Sequence, residues 1–181
     1  MNPPIIIVFG LSGVGKTTLC KAFVHQHPHY IYLSASQMLR EATGRMPEEL
    51  RMSDPQAIQE RQKLLSAVLE EKRKGREGAP VLIDAHSVID NNNTIVSVPI
   101  SAIAAMRPTG LAFIEADPVA ILQRRATDSR DRPIRTIDEL RQQQLFAKEI
   151  AHEYAEKLDL PINLGRIQNV DDLHAFIKSA S

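Results

Sequence analysis

The stretch Ile5-Ile6-Ile7-Val8-Phe9, followed without a break by Gly10-Leu11-Ser12-Gly13-Val14-Gly15-Lys16-Thr17, decides the fold. Five apolar residues ending at a glycine read as a strand buried on both faces. Thr18, Leu19, Ala22 and Phe23 continue at helical spacing and complete a strand-loop-helix unit. The pattern G-x-x-x-x-G-K-[ST] between them has a mechanical reason at each fixed position. Its glycines let the loop curl with backbone N–H groups turned inward around a phosphate chain. The helix behind it aims the positive end of its dipole at the same oxygens. Lys16 is then placed for the β- and γ-phosphates, and the Thr17 hydroxyl for Mg²⁺. The expected nucleotide-binding residues are therefore Gly10, Leu11, Ser12, Gly13, Val14, Gly15, Lys16, Thr17 and Thr18.

Outward from this loop, the chain has the size of one domain, residues 1–181, with enough length for a full core around a sheet. Twenty-two Lys and Arg balance 22 Asp and Glu, so no global basic surface advertises nucleic acid, and an anion site must be local. The single cysteine, Cys20, reads as a buried structural thiol on the first helix and excludes an intrachain disulfide. No charged leader precedes an apolar stretch, and no apolar run approaches the ~20 residues of a membrane span. The default expectation is a cytoplasmic protein without a membrane partner.

Further along, Tyr30-Ile31-Tyr32-Leu33 reads as a short strand, and Ser34 to Arg40 as a helix start capped by Ser34 or Ser36. Pro28 breaks the spacing of His25, His27 and His29, which argues against a metal site there. Thr43 to Pro47 interrupts the helix before Glu48-Glu49-Leu50-Arg51. Arg40 and Arg51 thus sit on short interrupted pieces, which suits an anion clamp that moves. Asp54-Pro55 opens a helix carrying Ile58, Leu65, Val68 and Leu69, which ends in the basic run from Lys72 to Gly78.

Val81-Leu82-Ile83-Asp84 is an apolar strand ending in a carboxylate, the Walker B arrangement, with Asp84 facing the loop and holding Mg²⁺. His86 lies on the same rim, where it would orient substrate or water or only support its neighbours. From Val88 to Pro99 the residues permit either a hairpin or an extended loop bordering a substrate site. A short helix at Ile100–Met106, a strand at Leu111–Glu115 and a helix capped by Asp117-Pro118 follow. Five arginines, among them Arg124, Arg125, Arg130 and Arg132, crowd the segment after that cap. Their phosphate-binding forks suit a lid over residues 125–136. Thr136-Ile137-Asp138-Glu139 is a capping box, and it opens a long helix with an inward stripe of Ile137, Leu140, Ala147, Ala151, Tyr154 and Leu158. A strand at Pro161–Leu164 and a helix capped by Asn169 complete the chain. The alternation predicts an α/β fold of three layers, a five-stranded parallel sheet with helices on both faces and an Arg-rich lid.

These residues resemble the nucleoside monophosphate kinases, above all archaeal-type adenylate kinases, over nearly the whole chain. The resemblance rests on GLSGVGKT, on VLIDAHSVI from Val81, on EADPVAILQRR from Glu115, on Arg130-Asp131-Arg132, and on SASQMLR from Ser34. It implies transfer of the γ-phosphoryl group of ATP·Mg to a nucleoside monophosphate, with AMP favoured. By the same resemblance, Arg40 and Arg51 with the segment 34–78 hold the acceptor, and His86 lies beside it. Lys16, Arg130 and Arg132 act on the transferring group, Thr17 and Asp84 hold the metal, and Arg124 or Arg125 stacks on the donor adenine. Related enzymes form trimers, which makes a homo-oligomer an expectation. The chain departs from the family at Asn91-Asn92-Asn93 and Val98-Pro99, and at Gln142-Gln143-Gln144 and Lys148. A kinase for another small acceptor, or an ATPase switch acting on a partner, would share the donor loop.

Overall fold

The computed structural model describes residues 3–128 and 132–180. Its elements are β1 (Ile5–Phe9), α1 (Lys16–Gln26), β2 (Ile31–Ser34), α2 (Ala35–Thr43), α3 (Pro47–Arg51), α4 (Pro55–Gln62), α5 (Leu64–Arg73) and β3 (Val81–Asp84). There follow β4 (Val88–Asp90), β5 (Ile95–Ser97), α6 (Ile100–Ala105), β6 (Gly110–Phe113), α7 (Pro118–Thr127), α8 (Ile137–Leu158), β7 (Ile162–Leu164) and α9 (Val170–Ser179).

Five strands form one parallel sheet in the order β2-β3-β1-β6-β7. β1 lies at its centre with all five residues buried, as an uninterrupted apolar run requires when helices cover both faces. The chain runs from β1 to β2 and β3 on one side and then crosses to β6 and β7 on the other, so the loops leaving the carboxyl ends of the strands diverge there and open a crevice. α1 packs with α9, while α8 packs with α7, α6, β6 and β7. Among the described residues no helix is long and apolar enough to cross a membrane.

The capping residues act as their chemistry predicts. Asp54 accepts from the Ala57 N–H, Asp117 from Val119 and Asn169 from Asp172, and Thr136 with Glu139 closes a reciprocal capping box. The helix expected as one piece from Asp54 to the basic run is instead two, α4 and α5, broken at Lys63. There the Lys63 N–H tightens onto the Glu60 carbonyl at 3.2 Å. Ile58 and Gln62 from one piece and Leu65 and Leu69 from the next are all buried.

The stretch left open between hairpin and loop is a hairpin, with β4 antiparallel to β5. Its asparagines make the turn. The Asn91 side-chain oxygen accepts from the N–H groups of Asn93 (3.1 Å) and Thr94 (2.8 Å), and Asn92 takes the left-handed conformation at φ 78° that asparagine tolerates. α8 fastens the base of this hairpin: the Tyr154 hydroxyl donates to the carbonyls of Ser87 and Val98, and the Ser87 hydroxyl donates to the Ala147 carbonyl at 2.7 Å.

Candidate active site

The loop between β1 and α1 carries three glycines at positive φ, Gly10 (151°), Gly13 (95°) and Gly15 (107°). A Cβ on Gly10 would stand 2.6 Å from the Ile114 carbonyl oxygen, so only glycine lets the loop leave the sheet so close to the end of β6. Two arginines of α7 hold the loop by its carbonyls. Arg124 Nη1 donates to Val14 O (2.7 Å) and Gly13 O (3.3 Å), and Arg125 Nε donates to Ser12 O (2.8 Å). Carbonyls tied on this side leave the N–H groups of the loop and of the first turn of α1 to serve an anion on the other.

Lys16 is 5 % exposed and its ammonium curls back onto the carbonyls of Gly10 (2.7 Å) and Leu11 (3.0 Å), 3.9 Å from Asp84. Asp84, at the end of β3, accepts from the Thr17 hydroxyl at 2.5 Å and from the Tyr32 hydroxyl at 3.4 Å. His86 Nδ1 lies 2.9 Å from Gly10 O and 3.5 Å from Lys16 Nζ. Contact with a carbonyl oxygen requires the proton on Nδ1, which leaves Nε2 as an acceptor. Burial, reinforced by the charge of Lys16, drives the His86 pKa far below its ordinary value and keeps the imidazole neutral. These groups, with Lys21, Gln37 and Arg40, line a polar chamber of about 480 Å³.

A second chamber of about 210 Å³ adjoins it. Ser12, Ser36, Pro47 and His86 line both, so they form the doorway. The second chamber is walled by aliphatic side chains, Leu39, Leu50, Ile58, Leu65, Val88 and Ile95 among them, into which four arginines intrude: Arg51, Arg61, Arg125 and Arg132. Burial first, then repulsion by Arg132, brings Arg125 down to about 10, still cationic at neutral pH. Arg132 Nη2 donates to Asp128 at 2.5 Å, and Arg61 Nη1 donates to Ser53 Oγ at 2.5 Å. Arg51 makes no hydrogen bond to a described residue although its Nε is buried. At the far side Asp90 receives a two-pronged pair of bonds from Arg135, both 2.9 Å, and a further bond from Gln143 Nε2 at 3.0 Å.

The structure therefore brings the loop residues, Thr17, Asp84 and His86 into one place. It divides Arg40 from Arg51: Arg40 is exposed and borders the polar chamber, and Arg51 enters the aliphatic one. It also divides Arg124 from Arg125. Arg124 lines the polar chamber beside Gly15, whereas Arg125 faces the aliphatic chamber. Arg130 lies outside the described residues. His27 stacks on Phe23 and His174 with ring centroids 4.5 and 4.3 Å apart, on the side of α1 away from the loop.

Sequence reasoning missed Gln62 and Asp90; it met Arg135 only as one of the five arginines of the expected lid and Gln143 only as a departure from the family, and gave neither this role. A signal for the glutamines existed: Gln62 follows Ile58 by four residues and Gln143 follows Leu140 by three, so both fall on apolar stripes that point inward.

The sequence pattern of the AAA domain family, AAA_17, matches residues 9–141. The adenylate kinase of Thermococcus kodakarensis is 28% identical over 179 residues, covering 94% of this chain and 88% of that protein. That of Methanopyrus kandleri is 25% identical, covering 93% and 90%. Among solved structures, the shikimate kinase of Acinetobacter baumannii in complex with shikimate superimposes with a TM-score of 0.60 at 16% identity, covering 98% of this chain and 92% of that one. A gluconokinase of Sinorhizobium meliloti gives 0.52 at 16%, covering 98% and 91%. At such identities the structural matches speak for the fold, that of P-loop kinases. With the family pattern spanning most of its length, the chain belongs to the AAA domain family, as an archaeal-type member of the nucleoside monophosphate kinase family of P-loop kinases.

Proposed function

We propose that the protein transfers the γ-phosphoryl group of ATP to a nucleoside monophosphate, with AMP the favoured acceptor. The observation that carries this reading is the pair of chambers meeting at His86: a polar one around the P-loop and an aliphatic one entered by arginines. A phosphoryl group held at the doorway would have its donor on one side and its acceptor on the other.

In-line phosphoryl transfer asks the protein for alignment and for cations around the equatorial oxygens more than for covalent chemistry. Lys16 and the loop N–H groups would hold the β- and γ-phosphates. Arg124 would border the donor, and Arg40 would guard the chamber's open side. Arg51 would take the acceptor phosphate, and Arg125, Arg132 and Arg130 would converge on the transferring group. The neutral His86 would offer Nε2 to a water or hydroxyl at the doorway. The Thr17 hydroxyl and the Asp84 carboxylate are hard oxygen donors 2.5 Å apart, a set that fits Mg²⁺ sharing the rest of its shell with water and phosphate. Bound there, the ion would neutralise charge on the phosphate oxygens.

A chromatographic assay of ATP·Mg with AMP, CMP, dCMP, UMP or GMP, beside a control without acceptor, tests the proposal. Production of a nucleoside diphosphate from one or two of these supports it. Hydrolysis that proceeds equally with and without every monophosphate overturns it, and directs the search to other small acceptors or to a protein partner.

A further inference from the structure

Within the aliphatic chamber, Gln62 is a polar side chain that none of the roles above employs. It is 5 % exposed and lines the chamber together with Ile58 and Leu65, its neighbours on the same inward stripe. Its amide makes no hydrogen bond to any described residue.

Two other glutamines show what a structural role looks like in this fold. Gln144, 8 % exposed, is satisfied at both ends by Ala116, accepting from its N–H at 3.1 Å and donating to its carbonyl at 3.0 Å. Gln143, 9 % exposed, gives its amino group to Asp90. The Gln62 amide instead opens into the chamber with no partner among the described residues, on an aliphatic wall where a leucine would fill the same place. Its partner in the loaded chamber therefore comes with the ligand.

A carboxamide presents an N–H donor beside a carbonyl acceptor. Its complement is an edge with an acceptor next to a donor, such as a ring nitrogen beside an exocyclic amino group. The walls around Gln62 accept the apolar faces of a flat heterocycle and would strand the hydroxyls of a polyol. We infer that Gln62 determines acceptor specificity by hydrogen-bonding the amino-bearing edge of the acceptor's base, an assignment that rests on the monophosphate reading above. The base would be adenine, cytosine or guanine, since uracil has no amino-bearing edge. Gln62 would then do with its side chain what the Asn-rich hairpin turn, closed on itself by Asn91, is not free to do.

The test compares the best monophosphate of the panel with its analogue lacking the exocyclic amino group, at saturating ATP, in the wild type and in Gln62→Leu. We expect the wild type to favour the amino-bearing acceptor at least about tenfold in kcat/KM. In Gln62→Leu the acceptor KM should rise about tenfold, with kcat and the KM for ATP unchanged, and the preference should collapse to within about twofold. The Tm of the ligand-free variant should be equal or higher, because an aliphatic side chain replaces a polar one on an aliphatic wall; a structural glutamine would give a lower one. An unchanged acceptor KM in the variant, or a wild type that works best on UMP, overturns the assignment. Should Gln62→Leu not fold, Gln62→Met carries the same measurement. If the wild type phosphorylates no monophosphate, the parent reading fails by itself, and calorimetric titration with adenosine and with purine riboside decides the assignment. Tighter adenosine binding that Gln62→Leu abolishes supports it, and equal binding overturns it.

Discussion

The two chambers are built in opposite ways. The polar one is founded on one run of sequence, Gly10 to Thr18, whose backbone makes the cradle; side chains of α1, β2, α2 and α7, with Pro47, Asp84 and His86, complete it. The aliphatic one draws on α2, α3, α4, α5, the β4–β5 hairpin, the segment after Arg132 and α8, each giving one to a few side chains. A backbone cradle binds what all nucleotides share, their phosphates. A wall of side chains from separate segments can change its ligand through single substitutions without disturbing the cradle. On the proposed reading, the comparison teaches that donor chemistry and acceptor choice are physically separable, with His86 at the seam.

Three substitutions probe that separation, in descending order of effect. Lys16→Met, close in length and without charge, should lower kcat by about a thousandfold or more whatever the acceptor, since a cation aimed at developing charge in a water-poor site is worth several kcal/mol. Circular dichroism should be unchanged. Equal losses with and without acceptor would confirm that the polar chamber serves both hydrolysis and transfer, while a loss confined to one acceptor would break the separation.

Arg51→Met should act on one side only. A charge-assisted hydrogen bond contributes about 1.5–3 kcal/mol, so the acceptor KM should rise about 10- to 100-fold. The KM for ATP should hold. Because Arg51 Nε is buried with no partner among the described residues, the Tm should stay level or rise. A matching rise in the KM for ATP would show that Arg51 reaches across the doorway.

Asp90→Asn tests the hairpin's anchorage. Burial alone would raise the Asp90 carboxyl, but the bonds from Arg135, Asn92 and Gln143 outweigh it and hold the pKa below its usual value. The group's contribution to stability is therefore fully present above the unfolded value of ~3.9 and is lost as the pH falls through the lower folded value. At pH 7 the variant should lose about 1–2 kcal/mol, or about 2–8 °C in Tm. Its urea midpoint should fall less steeply than the wild type's below pH ~4. The acceptor KM should rise a few-fold while the KM for ATP holds; a change in the latter alone would mean that the hairpin steadies the wrong chamber.

The strands, the caps and the loop were legible in the sequence because each follows from a short local rule. Five β-branched and aromatic residues make a buried strand, Asp-Pro starts a helix, and glycines at fixed spacing admit positive φ. The hairpin was half legible: Asn91 to Asn93 signalled a turn, yet whether Val88 to Asp90 would find Ile95 to Ser97 depended on Tyr154 and Ala147, some fifty to sixty residues onward, securing its base. The break at Lys63 had no glycine or proline to announce it. Nor could the apolar stripe announce it, since Ile58, Gln62, Leu65 and Leu69 would share one face of an unbroken helix as well. The direction of the arginines was less legible still. Arg124 and Arg125 are neighbours in sequence, and successive helix positions point about 100° apart, so one borders the polar chamber while the other enters the aliphatic one.

By itself, then, the sequence determined that this chain makes a parallel sheet with a phosphate cradle at its central strand, a carboxylate beside it and arginines nearby, since backbone geometry and short-range hydrogen bonds decide those features. Only the tertiary structure decided which arginine borders which chamber, that Asp90, Arg135 and Gln143 lock the hairpin, and that Gln62 stands on an aliphatic wall with no partner among the described residues. Those facts concern distances between residues tens of positions apart, and such distances are set by how the helices pack over the sheet and not by any local run of residues.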